Sequence, residues 1–485
     1  MRKIILVIFL TAIINPNAFA NEKTLAKFHE WLIQNNSTEF IEINEHYEEC
    51  KSCNRWEAGP QCFEEIAKPK KQCVLDGDQS YGEDGYKWEE QKKYKSKLKI
   101  KFFKEKDGKI RDSIPWNAKK ISDDTLLYYG FVRSKKADLM GGKWLTEASS
   151  NPYEFEFDLR EDKKVDKELK KSALMSYLLF ENGKITVDKK SPEDRFGILL
   201  HEDAKLFSSS VGKTIVSYVL GNAVCEGYID GVNSKIDDWP LIKNTLYDGQ
   251  KIIDVINMSA GDQEYINIKD RVKKTGKTAG NYTIKYLMEE VFKNSTKKKQ
   301  KWNYSGLPPH LINNYIWFKS NGDYQKILDK TFKEKAKIKH SVQFRTKKYE
   351  KNYEDRIATY EDGILDSHFW ATRYDYLRIA KAMLDDWQND TCVGKYLKTV
   401  FNNRVNKNYQ GNVDNNSNWF NPKQYAGFFH TGYTGMKDRA VMGMDGNGGQ
   451  SIMIDFDRGR IIVINAIHNN YNWKKIAHSV MKKGK

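Results

Sequence analysis

Apolar segments in the second half of the chain predict two β-hairpins. Met175 to Phe180 and Ile185 to Val187 lie on either side of Asn182-Gly183, a dipeptide typical of a two-residue hairpin turn. Ser451 to Phe456 and Arg460 to Ile467 lie on either side of a short polar turn that contains glycine. Because segments with helical periodicity separate the two hairpins, we expect one antiparallel sheet assembled from distant parts of the chain.

Predicted helices lie before, between and after these hairpins. Asp166 to Leu174 predicts a helix, and Thr214 to Cys225 contains no charged residue, which is typical of a buried helix. Arg439 to Met444 has the pattern of a further strand. Asn472 to Lys483 predicts a closing helix, whose apolar face consists of Trp473, Ile476, Ala477, Val480 and Met481.

The first third of the chain has a different pattern and predicts a smaller α+β accessory domain. Thr24 to Gln34 has apolar residues at helical spacing. Three short runs alternate in the manner of strands, namely Lys97 to Phe103, Leu126 to Val132 and Tyr153 to Phe157. The charged run from Arg160 to Lys164 is typical of a linker. We therefore predict an accessory domain over residues 21–165 and a larger domain over residues 166–485.

The N-terminus predicts export. Met1-Arg2-Lys3 is basic, Ile4 to Ile14 is apolar, and Ala18-Phe19-Ala20 has the small-residue pattern of a signal-peptide cleavage site. The apolar run is too short to span a bilayer, and no later stretch is long and apolar enough to do so. We expect a signal peptide over residues 1–20 and a periplasmic or secreted product without a transmembrane segment.

The six cysteines are unevenly placed. Four of them cluster near the N-terminus, at Cys50, Cys53, Cys62 and Cys73. In an oxidising compartment this cluster favours two disulfides, whose pairing the sequence does not determine. A zinc site made of four thiolates is the alternative, but the second C-x-x-C of typical sites is missing. Cys225 falls in the apolar helix, where we expect an inert buried thiol.

The formal net charge of the chain is +16, and lysine occurs in most polar segments. Anionic polymers of the cell envelope, or lipid headgroups, are the partner class that such a surface attracts. The alternative, which the even spread of the lysines favours, is that they only keep the protein soluble. Nucleic acid is not an expected partner of an exported protein.

Ser210 and Lys213 are the candidate reactive pair. They stand three residues apart at the start of the apolar helix, so both side chains lie on one face and the amine can reach the hydroxyl. The N-terminus of a helix favours negative charge that develops beside it. An apolar surround disfavours the ammonium form, and the neutral amine is what a general base needs. The tetrapeptide alone favours an ordinary capped helix, so the case for a reactive pair depends on the segments that accompany it.

Two further segments are candidates for the same site. Tyr304 lies within Lys301 to Gly306, and Gly446-Asn447-Gly448-Gly449 leads into the second hairpin. Glycine in the latter segment permits a close approach of the backbone to a substrate. The structural alternatives are a tyrosine packed against Trp302 and a tight turn before a strand.

In this order the motifs resemble those of the serine β-lactamase and penicillin-binding-protein-like superfamily. The branch they resemble most is the class C type, with family VIII carboxylesterases and 6-aminohexanoate-dimer hydrolases. The resemblance covers about Leu174 to the C-terminus. It implies an α/β (α+β) fold in which helices flank an antiparallel sheet, with an all-helical subregion. It also implies a serine hydrolase that acts on a small ester or amide and requires no metal or organic cofactor.

The resemblance implies roles for individual residues. Ser210 would be the acylated nucleophile, Lys213 its general base, and Tyr304 the phenol that relays protons to and from the leaving group. The backbone N–H groups of Ser210 and Asn447 would form the oxyanion hole, within a substrate-binding strip that extends over Gly446–Gly449.

Two departures from the family pattern leave alternatives open. The second motif is often Tyr-x-Asn, but its third place here is Gly306, so an amide that could contact the substrate is missing. The third motif is often Lys/His-Thr/Ser-Gly, and His430-Thr431-Gly432 is therefore an alternative to Gly446–Gly449. The functional alternatives are a D-alanyl peptidase or weak β-lactamase acting on cell-wall-type substrates, and a sensor or binding protein that has lost turnover.

Overall fold

The computed structural model describes residues 100–103, 113–139, 144–266, 283–346, 363–407 and 422–483. The chain divides into two compact units, residues 1–141 with 192–201 and residues 142–191 with 202–485. The domain boundary predicted near residue 165 stays a prediction. The predicted signal peptide, the Thr24 helix and the four-cysteine cluster lie outside the described residues.

The first unit contains helix α1, Asp123–Leu139. The strand predicted over Leu126–Val132 is wrong, because these residues lie inside α1. Ser122 Oγ accepts a hydrogen bond from the backbone N–H of Thr125, and two aspartates occupy the first turn. The serine cap and the two negative charges at the N-terminus stabilise a helix, and they outweigh the preference of the apolar run for a strand. Residues 100–103, the described part of another predicted strand, form no strand either.

The strands of the second unit form one large sheet and two small ones. In chain order they are β1 Leu145–Thr146, β2 Glu156–Phe157, β3 Leu174–Glu181, β4 Lys184–Lys190, β5 Leu206–Phe207, β6 Lys235–Ile236, β7 Gln250–Lys251, β8 Val342–Thr346, β9 Leu365–Ala371, β10 Val405–Asn406, β11 Gln424–Ala426, β12 Phe429–Thr431, β13 Val441–Gly446, β14 Gln450–Asp455 and β15 Arg460–Ala466. The large sheet has nine strands in the order β10-β11-β12-β13-β14-β15-β3-β4-β2. The small sheets are β1-β8-β9-β5 and β6-β7.

The predicted antiparallel sheet of distant segments is confirmed. Its strands pair antiparallel, apart from the short parallel contact of β2 with β4. Both predicted hairpins form, as β3–β4 and β14–β15. Asn182 and Gly183 adopt φ values of 54° and 80°, the left-handed conformation that this hairpin turn requires. The strand predicted over Arg439–Met444 is β13, and the one predicted over Tyr153–Phe157 is confined to β2.

Helices surround these sheets. In chain order the helices of the second unit are α2 Lys163–Lys171, α3 Gly212–Cys225, α4 Ile252–Ile256, α5 Gln263–Ile266, α6 Ile284–Tyr286, α7 Leu307–Lys319, α8 Tyr324–Asp329, α9 Arg373–Gln388, α10 Cys392–Asn402 and α11 Ser479–Lys483. The predicted closing helix consists of one wide turn, Lys474–His478, continued by α11. Its apolar face packs on the sheet in one core cluster with Leu174, Tyr177 and Ile462. Among the described residues, no helix is long and apolar enough to cross a membrane.

Helix α3 is the buried helix that the sequence predicts. Every residue from Gly212 to Ala223 is buried. Thr214 and Ile215 face Met442 of β13 and Ile452 of β14 across a small apolar void, so the helix lies against the large sheet. Beyond Lys213 the helix carries no charged residue, and such a segment is stable in this position because it has no solvent-facing side.

Cys225, the last residue of α3, is bonded to Cys392, the first residue of α10. The expectation of an inert thiol at Cys225 is therefore wrong. The two Cα atoms are 5.8 Å apart although 167 positions separate them in the sequence. That distance lies within the range that a disulfide spans. The two cysteines come this close because α10 packs against α3.

Candidate active site

Ser210 lies in a single 3₁₀ turn, Ser209–Val211, that leads directly into α3. Strand β9 holds this turn on one side. Ser208 donates its N–H to the carbonyl of Phe369 over 2.8 Å, and Ser208 Oγ accepts the Phe369 N–H over 2.8 Å. Ser209 has a φ of 48°, a left-handed conformation that costs a non-glycine residue of order 1–3 kcal/mol. The surrounding bonds thus fix the serine in a strained turn at the head of a buried helix.

Lys213 contacts Ser210 directly. Its Nζ lies 2.7 Å from Ser210 Oγ, within hydrogen-bond distance, and the lysine is only 4% exposed. Gly212 between them is pressed against β9, since a Cβ placed on it would lie 1.9 Å from the carbonyl oxygen of Ser367. The predicted spacing therefore brings amine and hydroxyl together on one face of the helix.

Tyr304 lies beside this pair. The Lys213 Nζ stands 4.9 Å from the centre of the Tyr304 ring, and the phenol donates to Met444 Sδ over 3.9 Å. The tyrosine segment is tied to the chain after α4, because Asn303 N–H donates to the Met258 carbonyl over 2.8 Å. Lysine thus meets the face of the ring, and the phenol points towards β13.

The strip Gly446–Gly449 borders the serine turn. Gly446 ends β13, and a Cβ placed on it would lie 2.6 Å from the Ser208 carbonyl oxygen and 3.0 Å from Ser209 Cβ. Only glycine permits this approach. Asn447 follows and is exposed, and the left-handed Gly448 and Gly449 complete the turn into β14. The strip therefore lies next to the candidate nucleophile.

The alternative motif, His430-Thr431-Gly432, also borders the site, where its histidine contacts Tyr304. His430 lies on β12 and stacks on Tyr304, with ring centres 6.0 Å apart and planes 16° apart. Its Nδ1 is 2.6 Å from Lys407 Nζ. Burial, and then the charges of Lys407 and Lys213, hold the pKa of His430 well below its usual value, so the ring is neutral near pH 7. The two segments are thus neighbours in one site, on adjacent strands.

Sequence reasoning missed Lys407 and a buried group around Asp366. No sequence signal marks Lys407, which follows a two-residue strand. His310 at the start of α7, and Asp366 and His368 on β9, place one ligating atom each within 4.8 Å of one another. Arg345 Nε donates to Asp366 Oδ2 over 2.8 Å, and Arg345 Nη2 lies 3.0 Å from His368 Nδ1.

The charges in this group are balanced by protein side chains. Burial opposes ionisation of Asp366, but His310, His368 and Arg345 hold the pKa of this carboxyl well below its usual value. Burial lowers the pKa of His368. Arg345 pairs with Asp366 Oδ2, and the Nδ1 atoms of His310 and His368 face Oδ1, so protein side chains engage both carboxylate oxygens. The group therefore fits an ion-paired anchor for β9 better than a metal centre.

Comparisons with known proteins identify the fold. No protein-family model matches the chain, and no curated protein matches it. A solved structure from Bacillus anthracis, provisionally described as a 6-aminohexanoate-dimer hydrolase, is 13% identical and has a TM-score of 0.51. The match covers 78% of this chain and 96% of that chain.

Two further solved structures are similar at a lower level. The octameric penicillin-binding protein homologue from Pyrococcus abyssi is 14% identical, with a TM-score of 0.44 over 63% of this chain and 72% of its own. A D-stereospecific amidohydrolase from Streptomyces sp. is 13% identical, with a TM-score of 0.44 over 66% of this chain and 97% of its own. The first match confirms the predicted architecture: the chain shares the mixed α/β fold of that Bacillus anthracis structure.

Proposed function

We propose that the chain is an exported serine hydrolase that cleaves an ester or amide bond through an acyl-enzyme on Ser210. The observation that carries the proposal is the 2.7 Å contact of Lys213 Nζ with Ser210 Oγ at a buried lysine. An amine within hydrogen-bond reach of a hydroxyl, away from water, can activate a serine without histidine. The shared fold supports this chemistry, because the matching structure is itself described as a hydrolase.

Acylation begins when the neutral amine of Lys213 removes the proton of Ser210 while Oγ forms a bond to the substrate carbonyl carbon. The carbonyl oxygen gains negative charge, which the backbone N–H groups of Ser210 and Asn447 stabilise. Gly446 allows this approach, since a side chain there would push the strip away from the serine turn. The bond to the leaving alcohol or amine then breaks, and that group takes up the proton.

Tyr304 assists the proton transfer. Its ring centre lies 4.9 Å from Lys213 Nζ, so the residue borders the reacting pair, and the resemblance to the superfamily implies that its phenol shares the proton that passes to the leaving group. In the second half-reaction, water attacks the acyl-enzyme and gives up a proton to Lys213. Breakage of the acyl bond then returns a proton to Ser210 and releases the acid.

Export is supported by two independent features. The N-terminal 20 residues have the pattern of a signal peptide. The Cys225–Cys392 disulfide is of a kind that persists in oxidising compartments. The basic surface suits anionic envelope polymers, a partner class that stays a prediction.

Labelling with a fluorophosphonate tests the nucleophile. We expect one adduct on Ser210, its loss in Ser210→Ala, and its retention in the matched control Ser259→Ala. An adduct that persists in Ser210→Ala would reject the assignment. Turnover of a p-nitrophenyl ester, a cephalosporin and a D-Ala-D-Ala peptide separates the esterase, lactamase and peptidase alternatives. An acyl-enzyme that forms and is never released would favour a sensor.

A further inference from the structure

Residues 293–301 form a basic segment that leads into the candidate active site. Five of these nine residues are lysines, and none is acidic. The lysines up to Lys299 are exposed, and Lys301 is half-buried. Tyr304 follows three residues after Lys301, and an extended chain advances at most about 3.6 Å per residue, so the two Cα atoms lie within about 11 Å of each other. The segment thus brings a cluster of ammonium groups close to Tyr304.

Most of these ammonium groups have no acidic partner. Lys298 Nζ lies 3.7 Å from Glu264 Oε1. Among the described residues, no carboxylate oxygen lies within 4.0 Å of the other four amines, which belong to Lys293, Lys297, Lys299 and Lys301. The amine of Lys297 donates instead to the neutral amide oxygen of Gln250 over 2.9 Å. Four of the five positive charges are therefore not balanced by an ion pair.

The backbone of the basic segment is fixed to the rest of the second unit. Asn294 N–H donates to the Asn244 carbonyl over 2.7 Å, and Lys298 N–H donates to the Gly261 carbonyl over 3.0 Å. The second contact is close, because a Cβ placed on Gly261 would lie 2.3 Å from the Lys298 carbonyl oxygen. A fixed backbone keeps the lysines near one another, so their mutual repulsion is relieved when an anion with several charges binds.

Positive charge continues from the basic segment towards the serine. Lys407 Nζ lies 4.9 Å from the centre of the ring of Trp302, the residue directly after Lys301. The same amine is 2.6 Å from Nδ1 of His430, whose ring stacks on Tyr304. An anionic chain bound along the segment is therefore led to the aromatic residues beside the reactive pair.

The composition of the segment favours a polymer over a lipid surface as the partner. A protein surface that lies on a bilayer buries apolar side chains between the lipids beside its basic residues. The large exposed hydrophobic side chains of the described residues are Trp116, Phe157 and Leu159, and none belongs to the segment. A polymer with regularly spaced anionic groups needs only a series of cations, and its binding is favoured by the release of counterions.

We propose that residues 293–301 bind a polymer with regularly spaced anionic groups and hold it so that acyl groups on the polymer reach Ser210, an inference that rests on the proposed role of Ser210. The substrate class is then an ester or amide carried by an anionic polymer. Water cleaves this bond through the two half-reactions described above, so that one product stays on the polymer and the other is released.

Binding is measured by the fluorescence polarisation of fluorescein-labelled poly-L-glutamate. One triple variant removes three charges from the basic segment, through Lys293→Gln, Lys297→Gln and Lys299→Gln. The matched control removes three exposed charges from α2, through Lys163→Gln, Lys167→Gln and Lys170→Gln. At low salt we expect the segment variant to bind about tenfold more weakly than the wild type, and the control to stay within about twofold of it.

Three results of the binding assay would overturn the proposal. An equal loss of binding in both triple variants would show that only the net charge matters. A wild-type protein that does not bind the polymer at low salt would exclude the proposed partner. Binding to vesicles of phosphatidylglycerol and phosphatidylcholine, without binding to the polymer, would assign the segment to a lipid surface.

Catalysis is measured on poly-L-glutamate in which some carboxylates are p-nitrophenyl esters, and on p-nitrophenyl acetate. We expect the segment variant to raise KM about tenfold on the polymer ester without changing kcat, and to hydrolyse the acetate like the wild type. An unchanged KM on the polymer ester would overturn the proposal. The binding assay requires no turnover, so absence of fluorophosphonate labelling at Ser210 would show that the proposed function alone has failed.

Discussion

Opening the Cys225–Cys392 disulfide should cost the protein much of its stability. The bond closes a loop across a sequence separation of 167 residues. The chain-entropy relation for a loop of this length gives about 5 kcal/mol at 25 °C, mostly through the restricted unfolded state. Cys225 is half-buried and Cys392 is exposed, so serine at either position adds at most about 0.5 kcal/mol of its own. The loss can therefore be assigned to the crosslink.

Urea unfolding followed by tryptophan fluorescence measures this difference between the wild type and a Cys225→Ser/Cys392→Ser double variant. Substitution is cleaner than a reducing agent, because the chain contains four other cysteines. The single variant Cys392→Ser is the matched control, and it should lose as much stability as the double variant, since one change already opens the loop. A double variant within about 1 kcal/mol of the wild type would refute the reasoning.

Two further perturbations test the packing at the serine turn and the burial of a carboxyl group elsewhere in the second unit. Gly212→Ala should destabilise the fold by about 1–3 kcal/mol and lower activity, because its Cβ would lie 1.9 Å from the Ser367 carbonyl oxygen. Thermal melting measures the stability, and hydrolysis of an ester measures the activity. A variant with the stability and activity of the wild type would contradict the close packing of Gly212 on β9. Burial raises the pKa of Asp262 from 3.8 to about 6 despite its hydrogen bond from Tyr247. The folded state therefore favours the protonated carboxyl of Asp262, which contributes about 3 kcal/mol to the free energy of unfolding below pH 4. This contribution is lost as the pH rises through 6. Asp262→Asn should therefore remove this part of the pH dependence of the free energy of unfolding in urea. The same pH dependence in the variant and the wild type would contradict the raised pKa of Asp262.

Local patterns account for the parts of the fold that the sequence predicts. The Asn182-Gly183 turn and the apolar runs beside it determine the first hairpin within a few residues, so no distant contact is needed. The contact between Lys213 and Ser210 follows from helical spacing alone. The strand expected at Leu126–Val132 failed because residues before the run cap a helix there.

Long-range packing accounts for what the sequence does not reveal. The partner of Cys225 depends on how α10 lies against α3, which no local signal encodes. His430 and Gly446 look like competing candidates along the chain, yet β12 and β13 are paired, and both residues border the site. The cluster of His310 and Asp366 joins a helix to a strand more than 50 positions later, and only tertiary structure brings them together.

The most direct test of the central claim is the rate at which a fluorophosphonate modifies Ser210 when Lys213 is replaced by methionine. If the amine is the general base, Lys213→Met should slow the reaction by about 10²–10⁴-fold, whereas the exposed control Lys475→Met should react at the wild-type rate. Modification of Ser210 at an unchanged rate in Lys213→Met would contradict the claim.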